Sequence, residues 1–167
     1  MSELLDPEAI RQRLTALPLD TYQAGDTVLA DGSTTGKVLV LKEGAVEVVK
    51  DGVQLGKITE PGAIFGELSA LLGEPHTADV RALEPTTFHV GEAASLLRAD
   101  ADTALYVATI MARRLVGSNS ALVEVKKQLE AGQPRSVIGR MLDRIIQGSA
   151  PADDARIYQY YCYGVWS

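Results

Sequence analysis

The residues best placed to do chemistry lie in one run, Phe65-Gly66-Glu67-Leu68-Ser69-Ala70-Leu71-Leu72-Gly73-Glu74-Pro75-His76-Thr77-Ala78-Asp79-Val80. A strand that ends at Gly66 and turns into a short helix points backbone N–H groups at whatever sits beside the glycine, because glycine lets a ligand approach the chain closely. The chemistry on offer is anion binding, a cradle for a phosphate. A glycine before a short helix is a weak signal alone. It becomes more specific here because an acid, Glu67, adjoins the glycine and a polar pair, His76-Thr77, follows nine and ten residues after that acid. A carboxylate buried at such a point is costly unless a donor such as a hydroxyl meets it. His76 offers one or two donors and is mostly neutral at pH 7, with an ordinary pKa of ~6.5; it reads equally as an anion contact or as a surface residue.

Other chemistry-bearing types are scattered. His89 follows Phe88 at a strand end, where a lone histidine is more often a satisfied core or surface residue than a ligand. Two histidines thirteen residues apart and a single cysteine, Cys162, support no zinc site, so no metal is expected. No Ser-His-Asp or Cys-His grouping can be placed. The pairs Arg113-Arg114 and Lys126-Lys127 read most simply as solvated faces of a helix.

The elements that must hold this run in place follow from the patterning around it. Pro7, Ile10, Leu14 and Leu17 recur at three and four residues behind Asp6, which predicts a short amphipathic helix capped by Asp6 with Pro7 in its first turn. From Tyr22 to Val90 short β-branched runs alternate with Gly, Asp and Pro, as in a barrel or sandwich. The clearest hairpin is Ala45 to Ile58 around Asp51-Gly52, a pair suited to a type I′ turn. Further turns are predicted at Ala24-Gly25-Asp26, Asp31-Gly32 and Glu60-Pro61-Gly62. Helical spacing returns with Ala93, Leu96 and Leu97, then in a long helix from about Thr103 to Ala131. Ala108, Leu115, Leu122 and Leu129 form one seam line of that helix and Met111, Ser118 and Val125 another, a heptad register that wants a second helix. After Gly132-Gln133-Pro134 a third stretch is predicted from about Arg135 to Ile146, and the last ten residues hold five of the nine aromatics. That tail reads as folding back on its own chain or, less simply, as docking a partner.

Composition limits what these elements can be. The 167 residues suit one domain with a short appendage, and 46% hydrophobic against 23% charged residues is ordinary globular usage. A net charge of −6 has the wrong sign for a protein devoted to neutralising nucleic-acid phosphates. The start, Met1 to Asp6, lacks the features of a signal peptide, and no apolar run approaches the ~20 residues needed to cross a bilayer. A cytoplasmic protein without membrane insertion is expected.

Over about Leu14 to Ile146 the sequence resembles the cyclic-nucleotide-binding domain family. That family's phosphate-binding cassette reads Phe-Gly-Glu-Leu-Ala, several residues, then Pro-Arg-Ser/Thr/Ala-Ala, and Phe65 to Ser69 with Pro75 to Ala78 follow it without a gap. Glu43-Gly44, Pro61-Gly62 and Met111 to Leu115 extend the likeness, the last resembling the dimerisation helix of bacterial cAMP receptor proteins. The resemblance implies an α+β fold: an antiparallel β-barrel, a jelly-roll-like double-stranded β-helix, with an N-terminal helix, a short cassette helix and long C-terminal helices. It divides the chain into an N-terminal helix (1–20), the nucleotide-binding barrel (21–101), dimerisation and C-terminal helices (102–147) and the aromatic tail (148–167).

The resemblance also implies roles. Glu67 would bind the ribose 2′-hydroxyl, the backbone of Gly66, Leu68 and Ser69 would face the cyclic phosphate, Thr77 would add its hydroxyl, and Ala78 would close the cassette. Ser118 and Asn119 match helix positions that contact the base. At His76 the family has arginine. A guanidinium holds phosphate with a permanent charge and a planar fork, so the histidine implies weaker phosphate affinity. The implied function is a stand-alone regulatory module, not an enzyme, that binds cAMP or cGMP and signals through protein contacts, as a homodimer through the long helix and with an unknown protein partner. The rival is a degenerate fold serving as a structural or interaction domain without nucleotide. A third reading is a truncated transcription regulator, or one acting through a DNA-binding partner. Only 21 residues follow Ile146, without a helix-turn-helix pattern, so direct DNA binding is not expected.

Overall fold

A computed structural model describes residues 7–99 and 101–131. Asp6 as a cap, the helix expected from Arg135 to Ile146, Cys162 and the aromatic tail lie outside the described residues. In chain order the elements are α1 (Pro7–Thr15), β1 (Leu19–Tyr22), β2 (Thr27–Leu29), β3 (Lys37–Glu43), β4 (Val46–Lys50), β5 (Val53–Ile58), β6 (Ile64–Phe65), α2 (Glu67–Leu72), β7 (Asp79–Ala82), β8 (Thr86–Glu92), α3 (Ala93–Ala99) and α4 (Ala101–Glu130).

The strands make two four-stranded antiparallel sheets, ordered β1-β8-β3-β6 and β2-β7-β4-β5. The barrel expected from the sequence is therefore not closed: the ladders end at β1 and β6 in one sheet and at β2 and β5 in the other, giving a jelly-roll-like sandwich. Closure needs a hydrogen-bond ladder that continues around the ring. β6 pairs with β3 over two residues only, Leu39 with Phe65 and Val40 with Ile64, before the chain leaves at Gly66.

Strand β3 explains the layering. Val38, Leu39, Val40 and Leu41 are all buried. Successive strand residues point to opposite faces, so a strand apolar at every position must be covered on both. Leu39 and Leu41 enter the core between the sheets with Val28, Val46, Phe65, Val80 and Phe88. Val38 and Val40 enter a second core with Ile10 and Leu14 of α1 and Tyr106, Val107 and Ile110 of α4. Ile64 and Phe65 divide in the same way, Ile64 to the helices and Phe65 to the sandwich, where its ring meets Phe88 edge-on at 5.9 Å.

The turns follow their residues. Asp51 (φ 51°) and Gly52 (φ 76°) both adopt the left-handed conformation that a type I′ turn demands. At Gly44 (φ 101°) a Cβ would lie 2.7 Å from Thr86 Cα and 2.8 Å from the Pro85 carbonyl oxygen, so only glycine passes. α4 begins two residues before its expected start and ends one before its expected finish.

Candidate functional site

The site begins where β6 ends. Gly66 has φ 84°, and a Cβ on it would collide with the Lys37 carbonyl oxygen, so the residue must be glycine both for its conformation and for its space. The turn it makes starts α2 with Glu67, a favourable place for a carboxylate on a short helix. Glu67 is nevertheless only 2% exposed. Arg114 of α4 satisfies it: Nη1 donates to Glu67 Oε1 at 2.5 Å, while Nη2 donates to the Ile64 carbonyl at 2.7 Å. One guanidinium thus holds both the last turn of strand and the first residue of helix. Burial pushes the Glu67 carboxyl up from the ordinary glutamate value, and the Arg114 charge pulls against that rise. A carboxylate has about four lone-pair positions, and the bonds from Arg114 and from the Glu67 backbone N–H leave capacity to accept a hydroxyl.

The remainder of the segment is pinned by its own backbone and by a distant loop. Ser69 is buried and donates its hydroxyl to the Glu74 carbonyl at 2.6 Å, and the Gly73 N–H closes the helix on the Ser69 carbonyl. His76 is 6% exposed, so the surface reading of this residue is overturned. Its backbone N–H donates to Ser33 O at 2.7 Å, its carbonyl accepts from Gly32 N–H at 2.8 Å, and its Nε2 lies 2.9 Å from Thr35 Oγ1. Burial alone lowers its pKa from the ordinary value, which keeps the imidazole neutral. Leu68 and Thr77 are exposed and Ala78 is half-buried. Beyond Ala78, Asp79 accepts from the Asp31 backbone N–H at 2.8 Å and from Arg81 at 2.6 Å, and Lys50 reaches Asp31 at 2.7 Å. These bonds fasten the 30–36 loop to the start of β7.

The structure thus brings Gly66, Glu67, Ser69 and His76 into one small region, with Leu68, Thr77 and Ala78 on its rim. Ser118 and Asn119 are exposed on α4. Ser118 donates to the Arg114 carbonyl one turn back, and among the described residues no hydrogen bond joins either to the Gly66–Ala78 segment. The groups present are a buried carboxylate held by Arg114 beside the glycine turn and a neutral imidazole against the same glycine, with the exposed Thr77 following it in the chain.

A family model described as "Cyclic nucleotide-binding domain" matches residues 19–103, just over half of the chain. The chain belongs to the cyclic nucleotide-binding domain family. It is 35% identical over 81 residues to the cAMP-dependent protein kinase regulatory subunit of Yarrowia lipolytica, covering 48% of this chain and 21% of that protein. It is 29% identical over 168 residues to potassium/sodium hyperpolarization-activated cyclic nucleotide-gated channel 3 of Mus musculus, covering 91% of this chain and 21% of the channel. The chain therefore spans about a fifth of the length of these relatives. Among solved structures, the Thermus thermophilus catabolite activator protein superposes with a TM-score of 0.61 at 20% identity, covering 96% of this chain and 98% of that one. PKAR CBD2 bound to Sp-2Cl-cAMPS superposes with a TM-score of 0.58 at 21% identity, covering 80% and 84%. At these identities the likeness is one of fold.

Two residues that hold the Gly66–Ala78 segment have no signal in the sequence. Arg114, read as part of a solvated pair, is instead the partner of Glu67 across 47 positions of sequence. Thr35, the partner of His76, lies 41 positions away. Neither has a local signal; the only clue to Arg114 is that a buried carboxylate demands a donor. Of the core and surface placements open to His89, the structure shows the core one, with its Nδ1 3.3 Å from the Leu17 carbonyl oxygen. Among the described residues no group of His, Cys, Asp and Glu could hold a metal, and no helix is long and apolar enough to cross a membrane.

Proposed function

We propose that this protein is a regulatory module that binds cAMP or cGMP at the Gly66–Ala78 cassette and reports the bound state through α4 to a protein partner. The observation that carries this reading is the buried Glu67 carboxylate held by Arg114, because it ties the cassette directly to α4. A ribose 2′-hydroxyl donating to Glu67 shares the acceptor with the guanidinium, and any change in that pair is felt where Arg114 of α4 holds the Ile64 carbonyl of β6. Gly66, Leu68 and Ser69 offer backbone to the cyclic phosphate, Thr77 its hydroxyl, and Ser118 and Asn119 the base contact. Leu115, Leu122 and Leu129, seven residues apart and exposed, suit pairing of α4 with a second copy. Membership of a nucleotide-binding family supports the ligand class.

His76 favours a second reading, a degenerate module without nucleotide, because a neutral imidazole stands in the position the family gives to arginine. Calorimetric titration with cAMP and cGMP separates the two. Binding of either supports the first; absence of both at millimolar ligand supports the second. Glu67→Ala tests the assigned role: the preference for cAMP over its 2′-deoxy analogue disappears, with a loss of about ten- to a hundredfold in affinity for the ribose form. Equal affinity in parent and variant refutes that role.

A further inference from the structure

We infer that His76 makes ligand binding proton-linked: the imidazole meets the ligand's phosphate as an imidazolium formed on binding, so that a proton enters with each anion. This rests on the nucleotide-binding reading above and names the regulation of the same site. The geometry assigns the two ring nitrogens different work. Thr35 Oγ1 accepts the Lys37 backbone N–H at 3.3 Å and lies 2.9 Å from His76 Nε2. Nε2 and Thr35 Oγ1 share a hydrogen bond in either tautomer of the neutral ring; in the imidazolium Nε2–H donates to Thr35, whose oxygen has two lone pairs and accepts from both Nε2 and Lys37, which leaves Nδ1–H for another acceptor. No hydrogen bond from the described residues reaches Nδ1, although the residue is only 6% exposed. The ring faces the cassette glycine through Cε1, the carbon between the two nitrogens, which would lie 3.7 Å from a Cβ on Gly66. Nδ1 is one bond from that atom.

Among the described residues no cationic side chain is hydrogen-bonded to His76, and Lys50, Arg81 and Arg114 are each held by a carboxylate. The ionisable groups on the elements around the ring are Asp31 and Lys37 on the loop side, Glu67 after Gly66, and Glu74 and Asp79 on its own segment. Asp31 is taken by Lys50, Glu67 by Arg114 and Asp79 by Arg81, and the side chains of Lys37 and Glu74 belong to exposed residues. Burial is the sole influence that moves the free imidazole, and it moves it toward the neutral form. A phosphate anion reverses the balance, since an opposite charge at hydrogen-bond distance favours the protonated ring. Nδ1 then donates to phosphate while Nε2 keeps its bond to Thr35, with no rearrangement of the loop. Acidity and ligand thus act together on one residue.

The test is calorimetric titration with cAMP at several pH values in two buffers of different protonation enthalpy. The free pKa lies below ~6.5 and the bound pKa above it, so the apparent Kd falls by about tenfold from about pH 8 to about pH 6, with proton uptake in between. His76→Gln and His76→Arg both lose this dependence, and His76→Arg binds more tightly than the parent at about pH 8, where its charge is permanent. A parent Kd flat with pH and without proton exchange overturns the inference while leaving nucleotide binding standing. Persistence of the same pH dependence in His76→Gln also overturns it. Failure of both the parent and His76→Arg to bind cAMP or cGMP at any pH overturns the nucleotide reading, and the inference with it.

Discussion

The two halves of α4 carry similar apolar spacing and meet opposite surroundings. From Thr103 to Ile110 the helix is covered: Tyr106, Val107 and Ile110 share a core with Ile10, Leu14, Val38 and Val40. From Leu115 onward the leucines are open, with Leu115, Leu122 and Leu129 at 62%, 68% and 57% exposure. Arg114 stands at the boundary, reaching back to Glu67 and to the Ile64 carbonyl. The contrast shows that helical periodicity says which face is apolar, and that the partner of that face depends on what the rest of the chain places opposite. It also puts the ion pair between the cassette and α4, Glu67 with Arg114, at the point where the helix leaves the core.

The comparison can be broken most forcefully in the covered half. Ile110→Ala should cost about 2–5 kcal/mol of stability in denaturant unfolding, through lost burial and the cavity left behind. A cost near that of an exposed leucine would show that this half is not part of the core. At the boundary, Arg114→Ala should cost about 1–3 kcal/mol at neutral pH by leaving the Glu67 carboxylate buried without its cation, toward the lower end because the guanidinium is partly exposed. The pH sign follows from burial. Without Arg114 the folded-state pKa of Glu67 rises further above its unfolded value, so the folded protein takes up the extra proton and the deficit shrinks as pH falls from about 7 to about 5. A deficit that widens on acidification refutes the pairing. In the open half, Leu122→Glu should leave protomer stability within about 0.5 kcal/mol while converting a dimer to a monomer by light scattering. An unchanged monomeric mass in parent and variant removes the second copy from the proposal.

Much of the cassette is legible in the sequence because its determinants are local. Gly66 before Glu67, and His76-Thr77 after the Gly73 turn, are decided by backbone conformation over a dozen residues, and the structure brings Gly66, Glu67 and His76 together. The hairpin at Asp51-Gly52 is legible for the same reason, since two left-handed residues in succession restrict the chain whatever surrounds it. The distinction between closed barrel and open sandwich is not legible, because alternating apolar residues serve either one; it turns on β6 having just two ladder positions.

What the sequence determined by itself is the order of elements, the glycine turn, the acid beside it and the seven-residue repeat of leucines, each a matter of neighbours along the chain. Only the tertiary structure decided that Glu67 is held by Arg114 from 47 residues away, that His76 is buried against Thr35 from 41 residues away, and that the leucine repeat begins where the core ends. The physical reason is the same in all three. Burial and pairing of a side chain depend on what packing brings opposite it, and a pair such as arginine with glutamate is encoded by neither residue's neighbours but by the two sheets and helices that carry them to within a hydrogen bond.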